Sequence, residues 1–275
     1  MNEKELRREL RRVRHRETEL LTKNRYVKSI SLESILNKYL PDKLEQTLDS
    51  AFREAFRLIF SRGTPVIGKT FNERKLRESE GDAVEIQKRW AADMMLTSVE
   101  GAGLGLIGVG LPDIPVFTGM LLRTVYQSAA GYGFEYSTKT EQVFILRLIE
   151  AALTRGKKAE KLSDELDDLM RQIDVEGFTY YGNMNEYIER TSKALSDETL
   201  YLKFVQTLPV VGIAGGLSNP VYMKKVKAYA EVKYKKRRLL IQLRQVREEA
   251  AKETEPGSDL TISVYEPEEE EQEEE

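Results

Sequence analysis

The chain has no cysteine and a single histidine in 275 residues. The first absence removes disulfides, thiol nucleophiles and cysteine-ligated zinc or iron–sulfur centres. The histidine, His15, stands between Arg14 and Arg16 in a charged N-terminal stretch, a poor setting for a catalytic base or a metal ligand. Paired histidines, H-E-x-x-H and EF-hand spacings are missing, as are G-x-S-x-G and G-x-x-x-x-G-K-[ST]. No metal and no cofactor is therefore expected. The opening residues, MNEKELRRELRRVRHRE, lack the apolar core of a secretory signal, so a cytoplasmic location is expected. Period-two alternation is confined to Leu260–Val264, which leaves little room for a sheet.

Helical punctuation is present almost everywhere else. Leu6, Leu10, Val13, Leu20 and Leu21 form a narrow apolar stripe among Arg and Glu. Asp42, with Glu45 three residues on, opens a helix that carries Leu44, Leu48, Phe52, Phe56 and Phe60 to Gly63. Asp82 with Glu85 repeats the device before Ile86, Trp90 and Met94. Thr138 with Glu141 repeats it before Val143, Leu146, Ile149 and Leu153, up to Gly156. Leu162, Leu166, Leu169 and Ile173 mark a further helix, and Ser196 is read as the cap of a short one ending near Leu208. Asn219-Pro220 opens a run without Gly or Pro to about Lys252. The fold class is all-α. A basic amphipathic helix over 1–28 precedes a helical domain over 29–252. Residues 253–275 form an acidic tail with Glu266, Glu268 to Glu271 and Glu273 to Glu275, expected to be disordered.

The stretch GAGLGLIGVGLPDIPVF, residues 101–117, matches G-x-G-x-x-G at Gly103, Gly105 and Gly108. A dinucleotide loop needs a strand before it, a helix opening from it and an acid about 20 residues on. Here a helical pattern precedes the glycines, Pro112 and Pro115 follow, and Glu135 lies too far away. A second stretch, LPVVGIAGGLSNPV at 208–221, has the same grammar. Gly101 and Gly105 are four apart, as are Gly212 and Gly216, so each pair bares backbone on one helix face for close approach by another helix. Residues 102–122 carry only Asp113 as a charge, and residues 204–223 carry none. Asp113 reads as the cap of a helix running to about Gly131. Buried hairpins in a soluble core, shallow insertion into a membrane and true spanning all remain open for Gly101, Gly105, Gly108, Gly212 and Gly216.

Directly after the second stretch comes KKVKAYAEVKYKKRR. It holds Lys224, Lys225, Lys227, Lys233, Lys235, Lys236, Arg237 and Arg238 against one acid, Glu231. A polybasic helix following an apolar run fits contact with anionic lipid, each cation near the surface contributing about 1 kcal/mol. A solvated helix face is the bland alternative. Nucleic acid, DNA or RNA, is disfavoured by the net charge of -3 and by the lack of a reading module. Asp93 and Glu100, seven residues apart on one helix face, are the candidate acid–base or cation-holding pair, with Asp113 nearby.

The blocks GLIGVGLPDIPVFTGMLLRTVYQSAAGYGFEYSTKTEQVFILRLIEAAL and LPVVGIAGGLSNPVYMKKVKAYAEVKYKKRRL resemble the EcsC protein family. Leu111 to Pro115, Arg123, Tyr132 to Phe134 and Asn219 with its basic helix carry the likeness, over about residues 30 to 245. The family is named for a bacterial protein encoded beside an ABC transporter. It has no accepted catalytic set, so the resemblance implies a bacterial helical protein rather than a reaction. The expected function is that of a non-enzymatic accessory protein at the cytoplasmic membrane face, its partner an anionic membrane surface or a membrane protein. The alternatives are a hydrolase-like enzyme using Asp93, Glu100 and Asp113, and a soluble protein-interaction module.

Overall fold

A computed structural model describes residues 1–23, 42–62, 114–207 and 218–254. They form seven helices: α1 (Glu3–Lys23), α2 (Asp42–Arg62), α3 (Ile114–Gly131), α4 (Lys139–Leu153), α5 (Gly156–Asp174), α6 (Asn185–Thr207) and α7 (Ser218–Thr254). No strand occurs among the described residues, in keeping with the all-α expectation. The helix read over 82–94, the Leu260–Val264 segment and the acidic tail lie outside them, as do the glycines of both stretches.

Local chemistry accounts for several of the boundaries. Asn2 and Glu5 make a reciprocal box at the start of α1: the Glu5 amide donates to Asn2 Oδ1 at 2.9 Å, and the Asn2 amide to Glu5 Oε2 at 3.0 Å. Thr138 caps α4 by accepting from the Glu141 amide at 3.2 Å. Its expected reciprocal partner, the Glu141 carboxylate, turns into the core instead. α3 begins at Ile114, directly after Asp113. Beyond α5, Gly177 takes φ 68 while the Phe178 amide returns to the Gln172 carbonyl at 3.0 Å. Ser196 is not a cap. It lies inside α6, buried, with its hydroxyl 3.4 Å from the Glu45 carbonyl of α2. α6 turns Thr191, Ser192, Ser196 and Thr199 inward beside Ile188, Leu195 and Leu200. Thr191 and Thr199 donate back to the carbonyls of Tyr187 and Leu195, so these hydroxyls are satisfied within their own helix.

α4 is the central helix, buried on nearly every side, with α5, α6 and α7 packed around it. α1 lies along α7 and contributes Leu6, Leu10 and Val13 to the common core, so it is part of the same packed unit. α2 brings Leu48, Phe52, Phe56 and Ile59, and the rings of Phe52, Phe117 and Tyr222 join α2, α3 and α7 edge to face.

Contacts between named residues fix the helix directions. Phe117 meets Tyr222, and Phe134 beyond the end of α3 meets Tyr234, so α3 and α7 run parallel. Ser163 meets Lys233 and Asp174 meets Arg237, which makes α5 parallel to them. α1 is antiparallel, with Glu3 on Arg247 and Glu17 on Lys233. α4 and α6 also oppose α7: Glu141 sits by Arg237, while Arg155, just past α4, shares Glu198 with Lys225. One end of the bundle thus collects the starts of α3, α5 and α7 with the finishes of α4 and α6.

Candidate functional site

The polybasic stretch lies wholly within α7, whose inward positions follow helical spacing through Val226, Ala230, Lys233, Arg237 and Leu240. Cations therefore occupy core positions, and three other helices supply acids to meet them. Lys233, fully buried, donates to Ser163 Oγ at 2.8 Å, to the Ser163 carbonyl at 3.1 Å and to Asp167 Oδ1 at 2.6 Å, and it pairs with Glu17. Lys236 donates to Glu17 Oε2 at 2.8 Å and to Asp167 Oδ2 at 2.5 Å. Ser163 Oγ donates to Glu17 Oε1 at 2.9 Å, which closes the network. Two ammoniums and two carboxylates leave it neutral. Burial would raise the Glu17 pKa, but Lys233 and Lys236 outweigh it and hold the carboxyl at about 2. For Lys233, burial favours the neutral amine. Tyr229, Glu17 and Asp167 reverse that and keep its pKa above the ordinary value.

A second cluster sits about one turn further from the α7 start. Arg237 forks onto Asp174 through Nε and Nη2 at 2.7 and 2.8 Å, and onto Glu141 through Nη1 at 2.7 and 2.8 Å. Phe134 and Phe144 cover its guanidinium, at 4.3 and 4.9 Å from the ring centres. The Tyr234 hydroxyl donates to Glu141 Oε1 at 2.7 Å. Burial raises the Glu141 pKa, and Arg237 and Tyr234 only partly offset it, as two acids sharing one guanidinium requires. Burial likewise pushes the Tyr234 hydroxyl well above its ordinary pKa, and the neighbouring Glu141 adds to the shift.

In both clusters each charged side chain has a partner within the protein, while Asp167 stays 26% exposed. Their chemistry is that of a lock joining α1, α4, α5 and α7 rather than that of a substrate site. The one hollow of note among the described residues, a groove between Asp174 and the Leu240–Glu248 turns of α7, has a free volume of about 200 Å³. Small-molecule pockets run to about 300–1,000 Å³. No group of acids or histidine suited to a metal ion occurs among the described residues.

The end where α3, α5 and α7 begin is different. There Glu198 is shared by two cations, Arg155 Nη2 at 2.5 Å and Lys225 Nζ at 3.3 Å, while Arg155 lies over the Tyr201 ring at 3.6 Å. Burial lowers the Lys225 pKa, with Glu198 opposing the shift and Arg155 adding to it. Lys157, Lys158, Lys224 and Lys227 are exposed at the same end, with Glu231 3.7 Å from Lys227 and Asp197 within electrostatic reach of Lys158. Four exposed lysines thus gather near the starts of α3, α5 and α7.

The family model for the EcsC protein family matches residues 4–239. This chain belongs to the EcsC protein family. The EcsC match begins within α1, in agreement with the packing of that helix into the common core. The chain is also similar to the uncharacterized protein YdbA of Bacillus subtilis (strain 168), at 27% identity over 158 residues. That match spans 55% of this chain and 56% of YdbA, so it covers little more than half of its relative. No solved structure matches.

In this EcsC chain the eight basic residues of 224–238 divide into inward and outward sets. Lys233, Lys236 and Arg237 are turned into the bundle, and Lys225 is largely so. Lys235 pairs with Glu9 of α1 at 3.0 Å and stays 41% exposed. Lys224, Lys227 and Arg238 face outward. Only the outward set is open to an external phosphate in this fold. Asp93, Glu100 and Asp113 lie outside the described residues, as do Gly101, Gly105, Gly108, Gly212 and Gly216. Composition alone missed the acids Glu17, Glu141, Asp167 and Asp174 that complete the buried clusters. Glu17 did carry a signal, because it continues the Leu6, Leu10, Val13 spacing of the buried face.

Proposed function

We propose that this protein is a non-catalytic accessory protein that docks at the cytoplasmic face of the membrane, on anionic lipid or on a membrane protein there. The docking end is the one where α3, α5 and α7 begin. The observation that carries the reading is the Phe117–Tyr222 contact at 5.8 Å, near the starts of two parallel helices. It makes neighbours of the points at which the two glycine-bearing stretches, one carrying Asp113 alone and the other no charge, enter the bundle. Lys157, Lys158, Lys224 and Lys227 surround that end with cations, each contributing about 1 kcal/mol beside anionic lipid. No helix among the described residues is long and apolar enough to cross a membrane, which favours surface contact by this part of the chain. The family is named for a protein encoded beside an ABC transporter, which suits a membrane transport protein as the neighbour.

Flotation with vesicles containing anionic phospholipid, at low salt, tests the reading. The wild-type chain should rise with the vesicles, and replacing Lys157, Lys158, Lys224 and Lys227 by Glu should abolish the effect. Failure of the wild-type chain to bind, or equal binding by the variant, removes the lipid reading. Binding to vesicles only when they carry a membrane protein transfers the contact to that protein.

A further inference from the structure

The outward face of α1 has no place in this function, and it is lined with cations. Lys4, Arg8, Arg11 and His15 follow at i, i+4, i+7 and i+11, directly opposite the buried Leu6, Leu10, Val13 and Glu17, and all four are exposed. Arg7, Arg12 and Arg16 on the flanks bond to Glu3, Glu9 and Glu19 of their own helix, but no ion pair is seen for Arg8 or Arg11 among the described residues. We propose that this arginine face is covered by the chain's own acidic segment, residues 266–275, folding back from the end of α7. Charge complementarity is near complete in kind: the segment holds Glu266, Glu268 to Glu271 and Glu273 to Glu275 and no cation. Position favours the same occupant. α7 is antiparallel to α1, and Arg247 bonds Glu3 at 3.0 Å, so α7 passes the start of α1 about two turns before its own end at Thr254. Arg8 and Arg11 lie about 8–12 Å along α1 from Glu3, and Thr254 lies about 10 Å the other way from Arg247, so the tether bridges about 18–23 Å along the axis at 1.5 Å per residue. About 16 residues separate Thr254 from the Glu268–Glu271 run, and random-coil statistics give such a length a root-mean-square span of about 22 Å. The acids therefore reach the arginines without being stretched, at the millimolar effective concentration that a short tether gives. Docked there, the segment would shield the arginine face from other polyanions and be released when salt screens the contact.

The absence of cysteine makes the test direct. Spin labels on Thr18→Cys and Gln272→Cys in the full chain report the separation of tail and helix by pulsed electron resonance. An undocked tail should give a broad distribution centred near about 40 Å, from chain statistics and helix rise. The docked segment should give a population below about 25 Å at 50 mM salt that disappears at 0.5 M, where the screening length falls to about 4 Å. Replacing Lys4, Arg8 and Arg11 by Glu should abolish the short population; acids in the first turns suit the helix N-terminus, so α1 should persist. Replacing Glu268 to Glu271 by Gln should do the same while leaving the bundle untouched. A broad wild-type distribution at low salt overturns the proposal. So does a short distance that survives either set of replacements, since another surface would then hold the tail.

Discussion

Lys233→Met strips the buried cluster of one of its two ammoniums while keeping the volume of the side chain. Glu17 and Asp167 are then left with Lys236 alone, and Ser163 loses two of its bonds. Breaking a buried pair by removing one partner costs about 3–5 kcal/mol. The electrostatics give a similar size: a Glu17 carboxyl held at about 2 against 4.5 corresponds to about 3 kcal/mol of net favourable interaction. Urea unfolding followed by far-ultraviolet circular dichroism should show a fall in midpoint with an unchanged slope, and a loss in this range. Lys224→Met, on the exposed part of the same helix, should stay within about 0.5 kcal/mol of wild type. Adding Glu17→Leu to Lys233→Met removes the stranded acid, so the double variant should be more stable than the single one. A loss below about 1 kcal/mol for Lys233→Met, or one equal to that of Lys224→Met, would refute the inward placement of this half of the basic stretch.

Three further outcomes are expected. The Glu17 pKa is depressed in the folded chain, so its contribution is complete above pH 4.5 and is lost as pH falls toward about 2. Unfolding measured at stepped pH should show about 3 kcal/mol less acid-induced loss over that window in Glu17→Gln than in wild type. Gly177→Ala should cost about 1–2 kcal/mol, because φ is 68 there while no atom lies within 4 Å of the added carbon, so backbone strain alone acts. Thr138→Ala should cost about 1 kcal/mol by freeing the Glu141 amide, with thermal unfolding as the readout.

Helix existence was legible wherever apolar spacing and caps agreed. α2 follows the Leu48–Phe52–Phe56 series from Asp42 almost to Gly63, α3 starts directly after Asp113, and α7 spans the run without Gly or Pro. The full length of α6 is hidden in the sequence because its buried face is built from Thr191, Ser192, Ser196 and Thr199, whose hydroxyls look like caps and obscure the helical period. The basic stretch misleads in another way. Its composition suggests a surface, whereas continuing the Val226 and Ala230 spacing passes through Lys233 and Arg237 to Leu240 and so places cations in the core. Their partners were not legible. Glu17, Glu141, Asp167 and Asp174 sit on three other helices at long separations in sequence, and helical period does not reveal which distant carboxylate faces which ammonium. Glu141 shows the limit well, since its position marks a capping box while its side chain belongs to the buried cluster.

The two ends of the bundle can be compared within one experiment. A polarity-sensitive fluorophore is attached at Lys224→Cys, at the end where α3, α5 and α7 begin, or at Tyr181→Cys, which is 84% exposed at the opposite end. Addition of anionic vesicles at low salt should shift the emission of the first label to the blue and leave the second unchanged. No shift at position 224, or an equal shift at both positions, would contradict docking through the glycine-bearing end.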